Sequence, residues 1–209
     1  MGGIIAIVPF KGDNNCKSRL KPVLTPEERF SITRIMYTRV LHTLTTTARI
    51  SGRFLVSGEN QEFRNLATTN SFTVLHDNGE GLNSNIKRAL LLAKANGFRQ
   101  ALIIPTDLPL ISSHDIKALI ELGDKYDAVI VPSKEGTGTN SLLVPLELDF
   151  SPSFGPGSFN KHVGILQKMG LTVGVYQAVG LSFDLDTPED WLAWGKELLG
   201  GTIQVGYSK

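Results

Sequence analysis

At 209 residues the chain fits one domain spanning 1–209, with room for a sizeable core, and its 41% hydrophobic and 20% charged content is ordinary for a soluble globular protein. A formal net charge of +1 excludes a global field for nucleic acid or for a membrane surface, so any anionic ligand must be held by local groups. The single cysteine, Cys16, excludes an intrachain disulfide and makes a reducing cytoplasm the expected location.

Met1 to Phe10 is apolar for only about ten residues and has no charged leader, so Ile4 to Pro9 reads as a buried strand rather than a signal peptide. A basic loop follows, from Lys11 to Lys21. Thr25-Pro26-Glu27-Glu28 then opens a helix with a capping box and proline at its first position. Arg53 to Ser57 and Phe72 to Leu75 read as strands, and Asp77-Asn78-Gly79 as a turn. Leu82, Ile86, Ala89, Leu90 and Ala93 recur at helical spacing and make one apolar face. Ala101 to Pro105 is a strand running into Thr106-Asp107, and Ser112 with Asp115 caps the next helix. Ala128 to Val131 and Ser141 to Val144 are strands on either side of Lys134-Glu135-Gly136-Thr137-Gly138-Thr139-Asn140. Ser151 to Ser158 is a second Gly/Pro/Ser loop, and Gly157-Ser158-Phe159 opens a helix to about Met169. Leu171 to Tyr176 and Ser182 to Asp186 read as late strands, and Thr187-Pro188-Glu189-Asp190 caps a last helix through about Leu199. Strands alternating with helices predict an α/β fold with a mainly parallel, mixed sheet flanked by helices. No stretch approaches the roughly 18 apolar residues of a membrane helix.

Three aspartates are candidate metal ligands. Asp107 follows a buried strand directly, and ligands of open α/β sheets sit outside the carboxyl ends of strands. Asp184 and Asp186 are two apart and, on a strand, share a face. Converging carboxylates repel unless a cation neutralises them, and Mg²⁺ combines a few carboxylates with phosphate oxygens. The plainer alternative makes Asp186 part of a helix cap and Asp184 a solvated charge. Lys11, Lys17, Arg19 and Lys21 stand in the first loop, where they can neutralise a triphosphate or can simply be a solvated basic loop. That loop lacks the P-loop pattern. The glycines of 136–138 and 155–157 allow a backbone to approach an anion, although each loop alone reads as an ordinary turn. His42, His76, His114 and His162 show no metal-ligand spacing, so zinc is not expected, and no Gly-x-Ser-x-Gly elbow signals a hydrolase.

Seven short segments, taken together and in order, resemble one family: 8–11 (VPFK), 17–20 (KSRL), 24–29 (LTPEER), 107–110 (DLPL), 136–140 (GTGTN), 154–159 (FGPGSF) and 184–190 (DLDTPED). Over about Ile4 to Leu198 the chain resembles the 2-phospho-L-lactate guanylyltransferases of deazaflavin coenzyme biosynthesis. It departs from the pattern at Phe10, where a smaller aliphatic is expected, and at Thr106, where alanine is common; neither change removes a charge. The resemblance implies a nucleotide-diphospho-sugar transferase-like, Rossmann-type architecture, and it implies a homodimer. It also implies that GMP passes from GTP to a small phosphorylated hydroxy acid, with Mg²⁺ at Asp107, Asp184 and Asp186. Lys11, Lys17 and Arg19, with Asp107, would do the catalytic work at the triphosphate. Thr139, Gly155 and Ser158 would hold the acceptor's phosphate and carboxylate, and Asp77, Gly81 and Asn83 the guanosine. Phosphoenolpyruvate or 3-phosphoglycerate are alternative acceptors. A glycosyltransferase, or a GTP-binding sensor without turnover, would be a different kind of protein on a similar scaffold.

Overall fold

β-Branched and small apolar residues make Ile4–Phe10 (β1) a strand covered on both sides. Ile4, Ala6 and Val8 enter one core cluster while Ile5 and Ile7 enter the other, the period of two that a strand imposes. The structure, a computed structural model, describes residues 2–12, 16–58 and 60–195. After β1 come Pro26–Thr46 (α1), Ile50–Ser57 (β2), Gln61–Thr69 (α2), Thr73–His76 (β3), Leu82–Ala95 (α3) and Gln100–Ile103 (β4). Ser113–Leu122 (α4), Ala128–Pro132 (β5), Thr139–Pro145 (β6), Ser158–Lys168 (α5) and Val173–Val175 (β7) follow. The chain then makes two short helical pieces, Val179–Ser182 (α6) and Pro188–Asp190 (α7).

The strands form one sheet in the order β3-β2-β1-β4-β6-β5-β7. Among the described residues only β6 runs against its neighbours, β4 and β5; the other pairs are parallel. Helices α1, α2 and α4 cover one face, packing Tyr37, Leu41, Phe63 and Leu119 over the sheet. Helices α3 and α5 cover the other with Ile86, Ala89, Leu90 and Leu166. Fully burying each Leu, Ile or Phe side chain contributes about 1.5–3 kcal/mol, and an alanine less, so both faces are closed by many small increments.

A third cluster positions the loops. Leu20 from the basic loop, Leu24 just before α1, Ile32 and Met36 from α1, and Phe183, Leu185 and Trp191 from the late segment are buried together. All three predicted capping boxes form, at Thr25/Glu28, Ser112/Asp115 and Thr187/Asp190. Four expectations change. Residues 182–186 are not a strand: 179–182 is a helical turn, and the next residues touch the loop that leaves β4 through the Leu185 N–H, which donates to Asp107 O at 3.2 Å. Burial alternates there, Phe183 and Leu185 in and Asp184 and Asp186 half out, which imitates a strand in the sequence. Strand β4 stops at Ile103 because Pro105 has no N–H to continue the ladder. Leu82 lies half exposed in the first turn of α3 rather than on its apolar face. After α7 the chain widens into a π-type turn at Trp191–Gly195, and the rest of the predicted last helix lies outside the described residues.

Candidate active site

Strand β1 pairs with β2 on one side and β4 on the other, so the connections leaving these strands diverge and open a crevice at their carboxyl ends. A cleft of about 240 Å³ lies there, lined by Lys11, Lys17, Thr106 and Asp107 among others. Lys17 adopts a left-handed backbone, φ 50°, unusual for a residue with a side chain. That bend sends its ammonium inward, where the side chain is only 9% exposed. Its Nζ donates to Asp107 Oδ2 at 2.8 Å and to Asp186 Oδ1 at 3.4 Å. Burial alone would lower the Lys17 ammonium, but the charge and hydrogen bond of Asp107, with Asp186 and Asp184 behind it, raise it above its ordinary value. Arg19 Nη1 donates to the other oxygen of Asp186 at 2.6 Å; at 73% exposure this pair is screened by water and adds little stability.

Asp184 lies on the far side of the same group. Burial first, and then the charge of Asp107, push its carboxyl above the usual carboxylate range, against the pull of Asn140 and Lys134. Asn140 Nδ2 donates to Ser182 O at 2.8 Å and to Asp184 Oδ1 at 3.4 Å. Lys134 Nζ donates to Asp190 Oδ1 at 2.5 Å and to Asp184 O at 3.4 Å, and sits 5.3 Å from the Phe183 ring centroid. Asp190 in turn accepts from the backbone N–H groups of Asp186 and Thr187, at 3.0 and 2.8 Å. The aspartate segment is therefore gripped from Lys134 as well as from α7.

The first residues of β6 serve a second cluster. The pairing of β5 and β6 shifts register here, Val131 opposing Ser141 and then Pro132 opposing Thr139, so Asn140 is an extra residue, the signature of a bulge. Asn140 turns to Asp184, whereas Thr139 turns to α5. The Thr139 N–H donates to Ser158 Oγ at 2.9 Å, and Thr139 Oγ1 lies 2.9 Å from His162 Nδ1. Gly155 and Gly157 have φ of 126° and 68°, and a Cβ on either would meet nothing within 4 Å, so the space beside this loop is open.

At the amino end of α3, Asp77 Oδ1 accepts from Gly79 N at 2.8 Å and from Asn85 Nδ2 at 2.6 Å. Gly81, with φ 90°, precedes the helix. Asn83 is engaged from both ends of its amide: Phe154 N donates to its Oδ1 at 2.7 Å and its Nδ2 donates to Phe154 O at 3.1 Å. It ties α3 to the Gly/Pro/Ser loop.

The structure thus gathers Lys17, Arg19, Asp107, Asp184 and Asp186 in one cluster, with Lys11 along the same cleft. Thr139 and Ser158 form the second, with Gly155 in their loop, and Asp77, Gly81 and Asn83 belong to the segment leading into α3. Three further residues hold these groups. Asn140 closes the 136–140 motif and Lys134 stands in the loop just before it, and neither is marked by the sequence pattern as a site residue. His162 was weighed only as a metal ligand, although Ser158, His162 and Leu166 recur at helical spacing and are all buried on α5. A larger groove of about 760 Å³ opens among Gly2, Arg99, Gln100 and Tyr126, at the opposite ends of the strands, and contains none of these residues. Among the described residues no three His, Cys, Asp or Glu side chains converge tightly enough to cage a metal ion alone. The pair Asp107 and Asp184 nonetheless suits a divalent cation that shares its coordination with substrate phosphates, since Mg²⁺ needs only one or two protein carboxylates.

Residues 4–199 match the family described as "Guanylyl transferase CofC like". A phosphoenolpyruvate guanylyltransferase from Rubrobacter xylanophilus is 38% identical over 192 residues, 90% of this chain and 91% of that protein. A 2-phospho-L-lactate guanylyltransferase from Methanobrevibacter smithii is 29% identical over 191 residues, 91% of this chain and 83% of that one. In fold the chain is similar to a Desulfovibrio desulfuricans G20 protein provisionally described as a nucleotide-diphospho-sugar transferase. The TM-score is 0.78 at 16% identity, with 94% of this chain and 89% of that chain covered.

Proposed function

The chain belongs to the CofC-like guanylyl transferase family and is a nucleotidyltransferase, and from that footing we propose that it moves GMP from GTP onto the phosphate of 2-phospho-L-lactate, releasing pyrophosphate, in deazaflavin coenzyme biosynthesis. One juxtaposition carries the reading. The acidic–basic cluster at the β1/β4 crevice and the hydroxyl-lined loop at Ser158 are joined through consecutive residues, Asn140 and Thr139.

In this reading Lys11, Lys17 and Arg19 hold the triphosphate. Asp107 and Asp184 hold Mg²⁺ jointly with it, and Asp186 completes the acidic group while orienting Lys17 and Arg19. When bound, the cation supplies charge neutralisation at the α-phosphate and at the departing pyrophosphate. Thr139, Ser158 and the backbone at Gly155 hold the acceptor's anionic groups. Asp77 and Gly81 face the guanosine, while Asn83 braces the loop between the two substrates. An acceptor phosphate oxygen attacks the α-phosphorus in line as pyrophosphate leaves. The nucleophile is already anionic, so the protein's task is positioning and charge compensation rather than removal of a proton.

A second reading substitutes phosphoenolpyruvate as acceptor, and the 38% identity to the Rubrobacter xylanophilus protein favours it. Both acids carry a phosphate next to a carboxylate, so one assay separates them. Pyrophosphate release is followed in real time with GTP, Mg²⁺ and each acid in turn, and the product is identified by mass. Release that requires 2-phospho-L-lactate supports the first reading, and release that requires phosphoenolpyruvate moves the assignment to the second. Asp107→Asn should lower either rate more than about 100-fold, as expected when a charge-stabilising group is lost. A folded Asp107→Asn protein with full activity contradicts the assignment of the crevice.

A further inference from the structure

His162 has no exposed surface, and both of its ring nitrogens have partners. The backbone N–H of Ser153 reaches Nε2 at 2.9 Å. A backbone amide can only donate, so Nε2 accepts and carries no proton. A neutral imidazole then has its proton on Nδ1, which faces Thr139 Oγ1 at 2.9 Å. Nδ1 is the donor of that bond and the threonine oxygen its acceptor, so the Thr139 hydroxyl proton is turned elsewhere. Ser158 is in the same position, because its Oγ already accepts from the Thr139 N–H. Among the described residues neither hydroxyl donates to a protein acceptor. Each is therefore set to give a hydrogen bond to a ligand.

The ring is also held in place. The Phe154 ring lies 4.7 Å away at 68°, edge to face, and Phe150 lies 5.8 Å away. Burial, with a smaller push from Lys161, lowers the imidazole pKa to about 4, so the neutral form persists at physiological pH.

We propose that His162 is a positioning residue for the acceptor: the Ser153 N–H on Nε2 keeps the ring proton on Nδ1, and the Nδ1–H in turn fixes the Thr139 hydroxyl as a donor. The inference rests on the reading above, in which Thr139 and Ser158 hold the acceptor. It adds a rule of selection. A site that offers two fixed donors accepts a fully ionised phosphate or carboxylate and disfavours an amide or ester of the same shape, which brings fewer lone pairs and less charge.

Three variants and one wild-type measurement test it. His162→Gln can still accept from Ser153 but has no donor at the Nδ1 position. His162→Asn keeps an N–H near that position but cannot reach Ser153. Thr139→Val removes the hydroxyl. Steady-state pyrophosphate release is measured against acceptor and against GTP separately. His162→Gln should raise the acceptor KM about tenfold with the GTP KM nearly unchanged, the size expected for one hydrogen bond to an anion. His162→Asn should stay within about threefold of wild type on the same grounds. Equal effects of the two variants, or parallel rises in both KM values, overturn the inference in favour of a purely structural histidine. Thr139→Val with an unchanged acceptor KM overturns the acceptor-site reading itself. Thr139→Val with a raised acceptor KM beside an unaffected His162→Gln overturns only the role of His162. In the intact protein, ¹⁵N imidazole shifts should show the Nδ1–H tautomer, and the Nε2–H tautomer contradicts the proposal whether or not the variants fold.

Discussion

Lys17 and Asp184 show how one residue's comfort is another's strain. Lys17 loses water on entering the crevice and recovers stability from Asp107 and Asp186, which its ammonium bridges. Among the described residues no ammonium bridges Asp184 in this way: its side chain meets the amide of Asn140 at 3.4 Å, and Asp107 repels it more strongly than Lys134 attracts it. With its folded pKa raised above the unfolded value, Asp184 binds its proton more tightly in the native state. Stability therefore falls as pH rises from about 3.9, the ordinary aspartate value, through the raised one, and stays lower above it. Asp184→Asn should accordingly be more stable than wild type at pH 7 without divalent ions, with the gap closing at low pH, while turnover collapses. Urea unfolding at several pH values reads this directly, and an Asp184→Asn protein less stable at pH 7 contradicts it. That Asp107 and Lys17 stand at the crevice was legible in the sequence, because one follows a strand and the other lies in a charged loop. The place of His162 was not, because its partners Ser153 and Thr139 are distant in pattern though near in space.

Helix starts are local matters, which is why all three capping boxes could be read from four-residue strings. They differ in what hangs on them. Ser112 caps α4, a helix that packs on the sheet, whereas Thr187 caps the turn whose Asp190 also holds the Asp186 N–H and the Lys134 ammonium. Ser112→Ala and Thr187→Ala should each cost about 1 kcal/mol of stability, the usual worth of a cap. Only Thr187→Ala should also lower kcat/KM, because it loosens the segment that presents Asp184 and Asp186. Paired thermal unfolding and turnover measurements check this, and equal activity losses in the two variants argue against it. The aspartate segment itself was misread as a strand. Its alternating burial comes from Phe183 and Leu185 dropping into the cluster with Leu20 and Leu24, not from pairing in the sheet. Period-two burial marks a strand only when a neighbouring strand is there to receive it, and the sequence does not say whether one is.

At the scale of the whole molecule, alternating strands and helices announced a mainly parallel sheet, but neither the strand order nor the reversed β6 is written in local pattern. Those are set by which buried faces fit together. Strand β1 is bonded on both sides, to β2 and β4, and is covered above and below by separate clusters. Its amides at Ile5 to Val8 should exchange with solvent at rates governed by global unfolding, while those of the edge strands β3 and β7 exchange through cheaper local opening. Amide exchange mapped by NMR would show this, and similar protection in β1 and β3 would argue against it. The irregular start of β6 reaches further. Adjacent side chains there, Thr139 and Asn140, serve two separate compartments, and Asn140 is the residue for which the ladder has no partner. In the gene that surplus is a single codon. Losing it would heal the ladder and leave the sheet intact, yet detach one compartment from the other. The number of residues from Ser133 to Asn140 is therefore a functional quantity in its own right, beside the identities of Lys134, Thr139 and Asn140.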